Sequence, residues 1–333
     1  MNSKTLKSGL LLGCLMSATA SVMAGPVERA AVVDDPAWVL HLDVDALRKS
    51  AVGAHIFTEL SKPEKELPLF VLKAALGCDL RTALHGITVY GASPAPDDGV
   101  ALVYADLNSE RLMALAKQAE DYRATSHGKH QVNSWIDAKR RENEGGQPRT
   151  YAAICKDKIV IFAQREARLT AALDVLDGIT PSLAKGTTFP KFGGGDPAII
   201  QAAARQIDLP ADNPSAAVFR QAKLIGLEVR ETGPNLLANL SLETKNEEVA
   251  PLIADVARGI IAIIALQPDN PDAVKLARSL SVEQAGSKTI VKLKTPADDI
   301  VAAIKANAAK EAAKKTAADK AAGDKPAEDK DKK

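Results

Sequence analysis

The chain predicts an α+β fold of two related modules, each a mostly antiparallel sheet with helices packed on one face, followed by a disordered tail. Three observations predict it. Short alternating apolar runs come in closely linked pairs, the mark of hairpins rather than of parallel crossovers. Longer runs with apolar residues at i, i+3 and i+4 separate those pairs and read as helices packed on a sheet. The order of these elements also recurs along the chain, as a duplicated unit would.

Residues 1–24 read as a signal peptide. Lys4 and Lys7 form a short positive head, Gly9 to Met23 is apolar, and Val22-Met23-Ala24 offers a cleavage pattern ahead of Gly25-Pro26. The apolar run, at about 15 residues, falls short of the ~20 that span a bilayer. Leu11-Leu12-Gly13-Cys14 has the look of a lipobox, which would make a lipoprotein anchored at Cys14. The apolar stretch before Cys14 is too short for that, and Ala18-Thr19-Ala20 supplies another cleavage pattern downstream. The expected location is therefore periplasmic or secreted, with no transmembrane span once the signal is removed.

The first module is expected over 25–180. Trp38 to Val44 alternates as a strand with Leu40, Leu42 and Val44 on its core face. Asp45 is placed to cap a helix from Ala46 to Leu60, and a second helix over Leu67–Leu76 ends at Gly77. Strands follow near Gly86–Gly91 and Val100–Ala105. Asn108 caps a helix carrying Leu112 and Leu115. Further strands lie near Gln131–Ile136, Tyr151–Cys155 and Ile159–Ala163, ahead of a helix through Leu169, Leu173 and Leu176.

Residues 181–213 form a joint rich in proline and glycine, with a short helix expected around Ala198–Arg205. The second module, 214–308, has strands near Lys223–Arg230 and Leu236–Leu242. A long helix capped by Asn246 then carries the stripe Val249, Leu252, Ile253, Val256, Ile260 and Ile264; its apolar run, residues 259–266, is expected to be buried against the second sheet, with docking to a partner or a membrane surface as the alternative. Asn270-Pro271 opens another helix, strands lie near Leu280–Gln284 and Thr289–Leu293, and Thr295-Pro296-Ala297-Asp298 starts the last helix. Residues align between the passes: Ile159-Val160, Leu169 and Leu173 with Ile290-Val291, Ile300 and Ile304, and Glu110, Leu112 and Leu115 with Glu247, Val249 and Leu252. The tail, 309–333, is almost wholly Ala, Lys, Asp and Glu; its start continues the last helix and the rest cannot bury a core.

Chemistry is sparsely encoded. A formal charge of +1 on 333 residues and 4% aromatics argue against nucleic-acid binding. His41 and Asp43 share one face of the first strand, which is the start of a metal site or of a base with its orienting carboxylate. His127 and His130 bracket a loop as weaker metal candidates. His55 and His85 read as structural. Cys78 and Cys155 form either one bridge or two separate buried thiols, in a compartment where disulfides persist. Gly193-Gly194-Gly195 lacks the ending of a phosphate loop and reads as linker. No nucleophile elbow, zincin helix or dinucleotide fingerprint is present, so no cofactor is expected.

Trp38-Val39-Leu40-His41-Leu42-Asp43-Val44-Asp45-Ala46-Leu47, the link Leu76-Gly77-Cys78-Asp79-Leu80 and the strand His85-Gly86-Ile87-Thr88-Val89-Tyr90-Gly91 resemble uncharacterised exported bacterial envelope proteins. In that group a similar signal precedes a duplicated α+β region. The resemblance implies localisation and architecture only, with no activity and no catalytic residues to carry over.

The expected function is thus a non-catalytic binding or scaffolding protein, its partner another envelope protein or polymer. Two alternatives stand beside it: a metal-dependent or hydrolase-like enzyme using His41 and Asp43, and a carrier of a small apolar ligand or lipid.

Overall fold

A computed structural model describes residues 27–138, 148–155, 158–186, 189, 197–205, 220–267 and 271–323. The signal peptide, Cys14, Gly193-Gly194-Gly195 and the tail beyond 323 lie outside the described residues.

Twelve strands join in one sheet: β1 (Trp38–Asp43), β2 (Leu84–Gly91), β3 (Gly99–Ala105), β4 (Arg123–His127), β5 (His130–Ile136), β6 (Arg149–Cys155), β7 (Ile159–Ala163), β8 (Ala198–Ala204), β9 (Ala222–Thr232), β10 (Asn235–Thr244), β11 (Leu280–Ala285) and β12 (Lys288–Pro296). Their spatial order is β11-β12-β10-β9-β8-β1-β2-β3-β7-β6-β5-β4, and every pairing is antiparallel. Between the strands lie α1 (Val44–Lys49), α2 (Ala51–Leu60), α3 (Pro63–Leu76), α4 (Leu80–Ala83), α5 (Ser109–Ala116), α6 (Glu166–Leu176), α7 (Val249–Ala265), α8 (Pro271–Arg278) and α9 (Ala297–Gly323).

The fold is α+β, and the recurrence is visible in its topology. Read outward from the centre, one half runs β1-β2-β3-β7-β6 and the other β8-β9-β10-β12-β11. A helix follows the third strand in each half (α5, α7), and another follows the strand paired with it (α6, α9). The halves meet where β1 pairs antiparallel with β8, Leu40 opposite Ala202 and Leu42 opposite Ile200.

That seam corrects the expected joint. Ala198–Arg205 is not a helix; Ala198–Ala204 is a central strand bonded on both sides. Its alanines favour a helix intrinsically, but two waiting strand edges offer partners to its backbone groups over residues 200–204, and tertiary context overrides a weak propensity. The second half therefore begins at 198, and the modules share one sheet.

The helix expected over Ala46–Leu60 is also broken. Asp43 rather than Asp45 caps α1, its Oδ1 accepting from the Ala46 N–H at 2.8 Å. Ser50 then caps α2 by accepting from the Gly53 N–H at 2.9 Å. The elbow is tight enough that a Cβ on Gly53 would lie 1.7 Å from the Leu47 carbonyl oxygen. Gly77 ends α3 at φ 76°, as its position suggested. Asn108 caps α5 through Arg111 N–H. Asn246 sits two residues before the N-cap of α7, accepting from Glu248 N–H instead.

The larger core lies under the first half. Val39, Tyr90, Val100, Leu102, Ile161 and Ala153 meet Leu169 and Leu173 of α6. Residues 27–33 close it from below: the Val27 N–H donates to Gln201 Oε1 at 3.0 Å, and Arg29 donates to the carbonyls of Leu183 and Gly186. The second core is smaller, with Ala222, Ile225 and Leu242 packed against Ile253 of α7. Register places it on the other face of the sheet: Leu242, Ile225, Ala204 and Trp38 are successive cross-strand partners, one residue out of phase with Val39. Thus α6 and α7 cover opposite faces.

Candidate functional site

The central strand carries the first candidate pair, on the face opposite to expectation. His41 and Asp43 are each only 2% exposed, whereas Leu40, assigned to the core, is 43% exposed. The face bearing His41 receives Tyr104 edge-on at 6.5 Å, along with the α6 core, so burial follows the covering layer rather than side-chain polarity. His41 Nδ1 lies 2.8 Å from Thr88 Oγ1 on β2, and Gln201 faces His41 from β8. Gln201, His41 and Thr88 form a buried polar row across the seam between halves. Asp43 is spent on the α1 cap. Burial pushes its carboxyl up to about 6, against the pull of the Ala46 and Asp45 backbone N–H groups. His41 and Asp43 thus share a strand face but are held by different structural partners.

The second pair sits on the β4–β5 hairpin and acts as a clasp. His127 Nε2 lies 2.7 Å from Asp174 Oδ1 of α6, and His130 Nε2 lies 3.1 Å from Asp177 at that helix's C-cap. Lys129 joins Asp177 at 2.8 Å, and together with His130 holds its carboxyl below the usual range. The acids come from 47 residues downstream, a separation that local spacing does not reveal. On its other side, His130 Nδ1 is 3.7 Å from Cys155 Sγ. That Cys155–His130–Asp177 array has the connectivity of a thiol triad, but the thiol is 2% exposed within the larger core, closed to a substrate carbonyl.

Cys78 and Cys155 are not bonded to each other in this structure. Burial, then Asp79 and Asp106, pushes the Cys78 thiol upward.

His85, read as structural, organises a network the sequence did not suggest. Its Nδ1 lies 3.0 Å from Asp45 and its Nε2 3.0 Å from Asp106. Arg48 pairs with Asp45 at 2.5 Å and Lys158 with Asp106 at 3.0 Å. Both ring nitrogens face carboxylate oxygens, which ties the ends of β2 and β3 to α1. Among the described residues, no three His, Cys, Asp or Glu side chains converge as a metal site.

Several cavities are of ligand size, and two bear on the elements described above. One, of about 930 Å³, is lined by Asp35, Arg205, Lys223, Glu243, Lys245 and Lys288, with Lys223 paired to Glu243 and Arg205 to Asp35. The other, of about 490 Å³, lies between α2 and α9 and is lined in part by Ile56, Leu60 and Ile304.

The largest departure from an ordinary surface is apolar. In α3 no residue is buried, and Leu67, Phe70 and Val71 are 71%, 65% and 60% exposed. The helix is held near its C-terminal end, where Arg111 donates to the Ala74 carbonyl at 3.0 Å. In α7 the expected stripe divides. Val249 and Ile253 pack on the sheet, while Leu252, Val256 and Ile260 point away and Ile263 and Leu266 extend that outer row. One sheet accepts only one side of a helix, and α7 is apolar on two. Among the described residues no helix is long and apolar enough to cross a membrane.

No family model matches the chain, and no curated protein does. Solved structures do align with it. Crystal forms III, I and IV of TP0453 give TM-scores of 0.46, 0.44 and 0.45 at 9% identity. The alignments cover 84%, 84% and 83% of this chain and 97%, 96% and 95% of that one. A likeness of this size carries no site residue and no activity across.

Proposed function

We propose that this is an exported bacterial envelope protein that binds or scaffolds another envelope component without catalysis. Export rests on the Lys4–Lys7 head, the apolar run and the Val22-Met23-Ala24 cleavage pattern. The binding reading rests on one observation: α3 displays Leu67, Phe70 and Val71 at i, i+3 and i+4, and among the described residues nothing packs over them. A helix of 14 residues is marginal alone in water, and an apolar row left open on it suits a partner of matching chemistry. The ionisable groups that a reaction would need are instead engaged as a helix cap, a hairpin clasp and a strand tie.

The test places a photocrosslinking residue at Phe70 in cells, with Ser126 on exposed β4 as the control position. A discrete adduct from position 70, lost on Leu67→Asp and absent from position 126, is expected. Equal, diffuse labelling from both positions would sink the reading. Mass spectrometry of the chain recovered in the same experiment reads its N-terminus, and a chain that starts at acylated Cys14 would replace soluble export with lipid anchoring.

A further inference from the structure

The outer face of α7 has a regularity that α3 lacks. Leu252, Val256, Gly259, Ile263 and Leu266 are spaced by 4, 3, 4 and 3 residues, the seam of a coiled coil. β-Branched Val256 and Ile263 flank Gly259 at the midpoint, and a leucine closes each end. Turned end for end about Gly259, the row maps onto itself: Leu252 falls on Leu266, and Val256 comes beside Ile263. A surface complementary to its own reverse is what a two-fold axis requires. Gly259 suits the crossing point, since no heavy atom lies within 4 Å of the Cβ it lacks, and two helix axes can approach closely there.

We infer that this face is the contact between two copies of the chain, packed as an antiparallel helix pair about Gly259. The inference stands apart from the partner assigned to α3. The topology supports it, because α5, the counterpart of α7 in the first half, has 8 residues against 17. The extra turns carry Ile260, Ile263 and Leu266, more than covering β10, β11 and β12 demands. Area is sufficient as well. Five apolar side chains that are 49–80% exposed offer on the order of 500 Å² per copy, so a pair buries roughly 1,000 Å², the threshold for a specific interface. Charge favours a second copy over a lipid surface. Asp255 and Arg258 beside the row neutralise each other at 2.7 Å, Glu247 and Glu248 precede the helix, and of the cations near Leu266, Lys275 and Arg278, the first pairs with Asp299 at 2.6 Å, so the charges around the row are mixed rather than a cationic rim.

Sedimentation velocity on the chain as exported, from low micromolar upward, is expected to show a monomer–dimer equilibrium. Ile263→Asp should raise the dissociation constant at least about tenfold while leaving the circular dichroism spectrum unchanged. Orientation is read by oxidation in a Cys78→Ser background. Gly259→Cys should link to itself, and Leu252→Cys mixed with Leu266→Cys should link to each other but neither to itself. A monomer at every concentration, or a dimer indifferent to Ile263→Asp, overturns the inference. So does a monomer that loses binding to phosphatidylglycerol vesicles on Ile263→Asp, which would assign the face to a membrane.

Discussion

Asp43 offers the sharpest test of the reasoning, because one carboxylate both caps α1 and is buried at the end of β1. Its ordinary value of 3.8 is pushed up to about 6, chiefly by burial. The folded chain therefore holds a proton that the unfolded chain has released between about pH 4 and pH 6, and stability falls as pH rises through that window. At about 1.4 kcal/mol per unit, ionising the buried group costs the folded state roughly 3 kcal/mol at most by neutral pH, and about half that once residual solvent screening is allowed. Asp43→Asn removes the ionisation but keeps a capping oxygen of similar strength. It also gives up one acceptor for a backbone N–H, a loss of about 1 kcal/mol that applies only where Asp43 is ionised. Urea unfolding at pH 4, where folded Asp43 is neutral, should then find the variant close to the parent, and at pH 8 more stable than it by up to about 2 kcal/mol. Asp79, held near 2 by Arg81, stabilises the fold in the opposite sense and titrates below the window, so it leaves the difference between the two chains intact. A gap that stays constant from pH 4 to pH 8 would refute the account of Asp43.

Two further outcomes follow from geometry already described. Gly53→Ala should cost at least the upper end of the ~1–3 kcal/mol range for overpacking, because its Cβ would strike backbone rather than a movable side chain; an unchanged thermal midpoint would show that the α1–α2 elbow is looser than described. In titration with a thiol reagent, Cys78 should react slowly at neutral pH and faster as pH rises, since its thiol is pushed up, and Cys155 only with denaturant. A native chain with no titratable thiol, or one in which Cys155 reacts as fast as Cys78, contradicts the structure.

The legible parts of the fold are those whose signals are local. Alternation located β2, β3, β6, β7, β9, β10, β11 and β12 to within a few residues, and single residues marked ends: Gly77 closing α3, Asn108 opening α5, Pro271 starting α8. Where a choice depends on what lies across space, local signals failed. Ala198–Ala204 has the composition of a helix and became a strand because β1 and β9 bracket it. Alternation on β1 separated His41 and Asp43 from Leu40 and Leu42 correctly, but could not say which side the covering layer would take. His127 and His130 have no acidic residue flanking them in the sequence; Asp174 and Asp177 arrive on α6. In α7 the apolar residues were recognised, yet their division into an inner and an outer row depends on the sheet being present on only one side.

By itself, then, the order of residues determined the class of fold, the recurrence of its elements and the amphipathic character of each, since periodicity and caps act over a few neighbouring positions. Only the assembled structure decided that the two halves fuse through β8 into one sheet, which polar groups lie beneath its covering layer, and which apolar rows remain open on α3 and α7. Those outcomes depend on contacts between segments far apart in the chain, where cross-strand bonding and burial outweigh local preference.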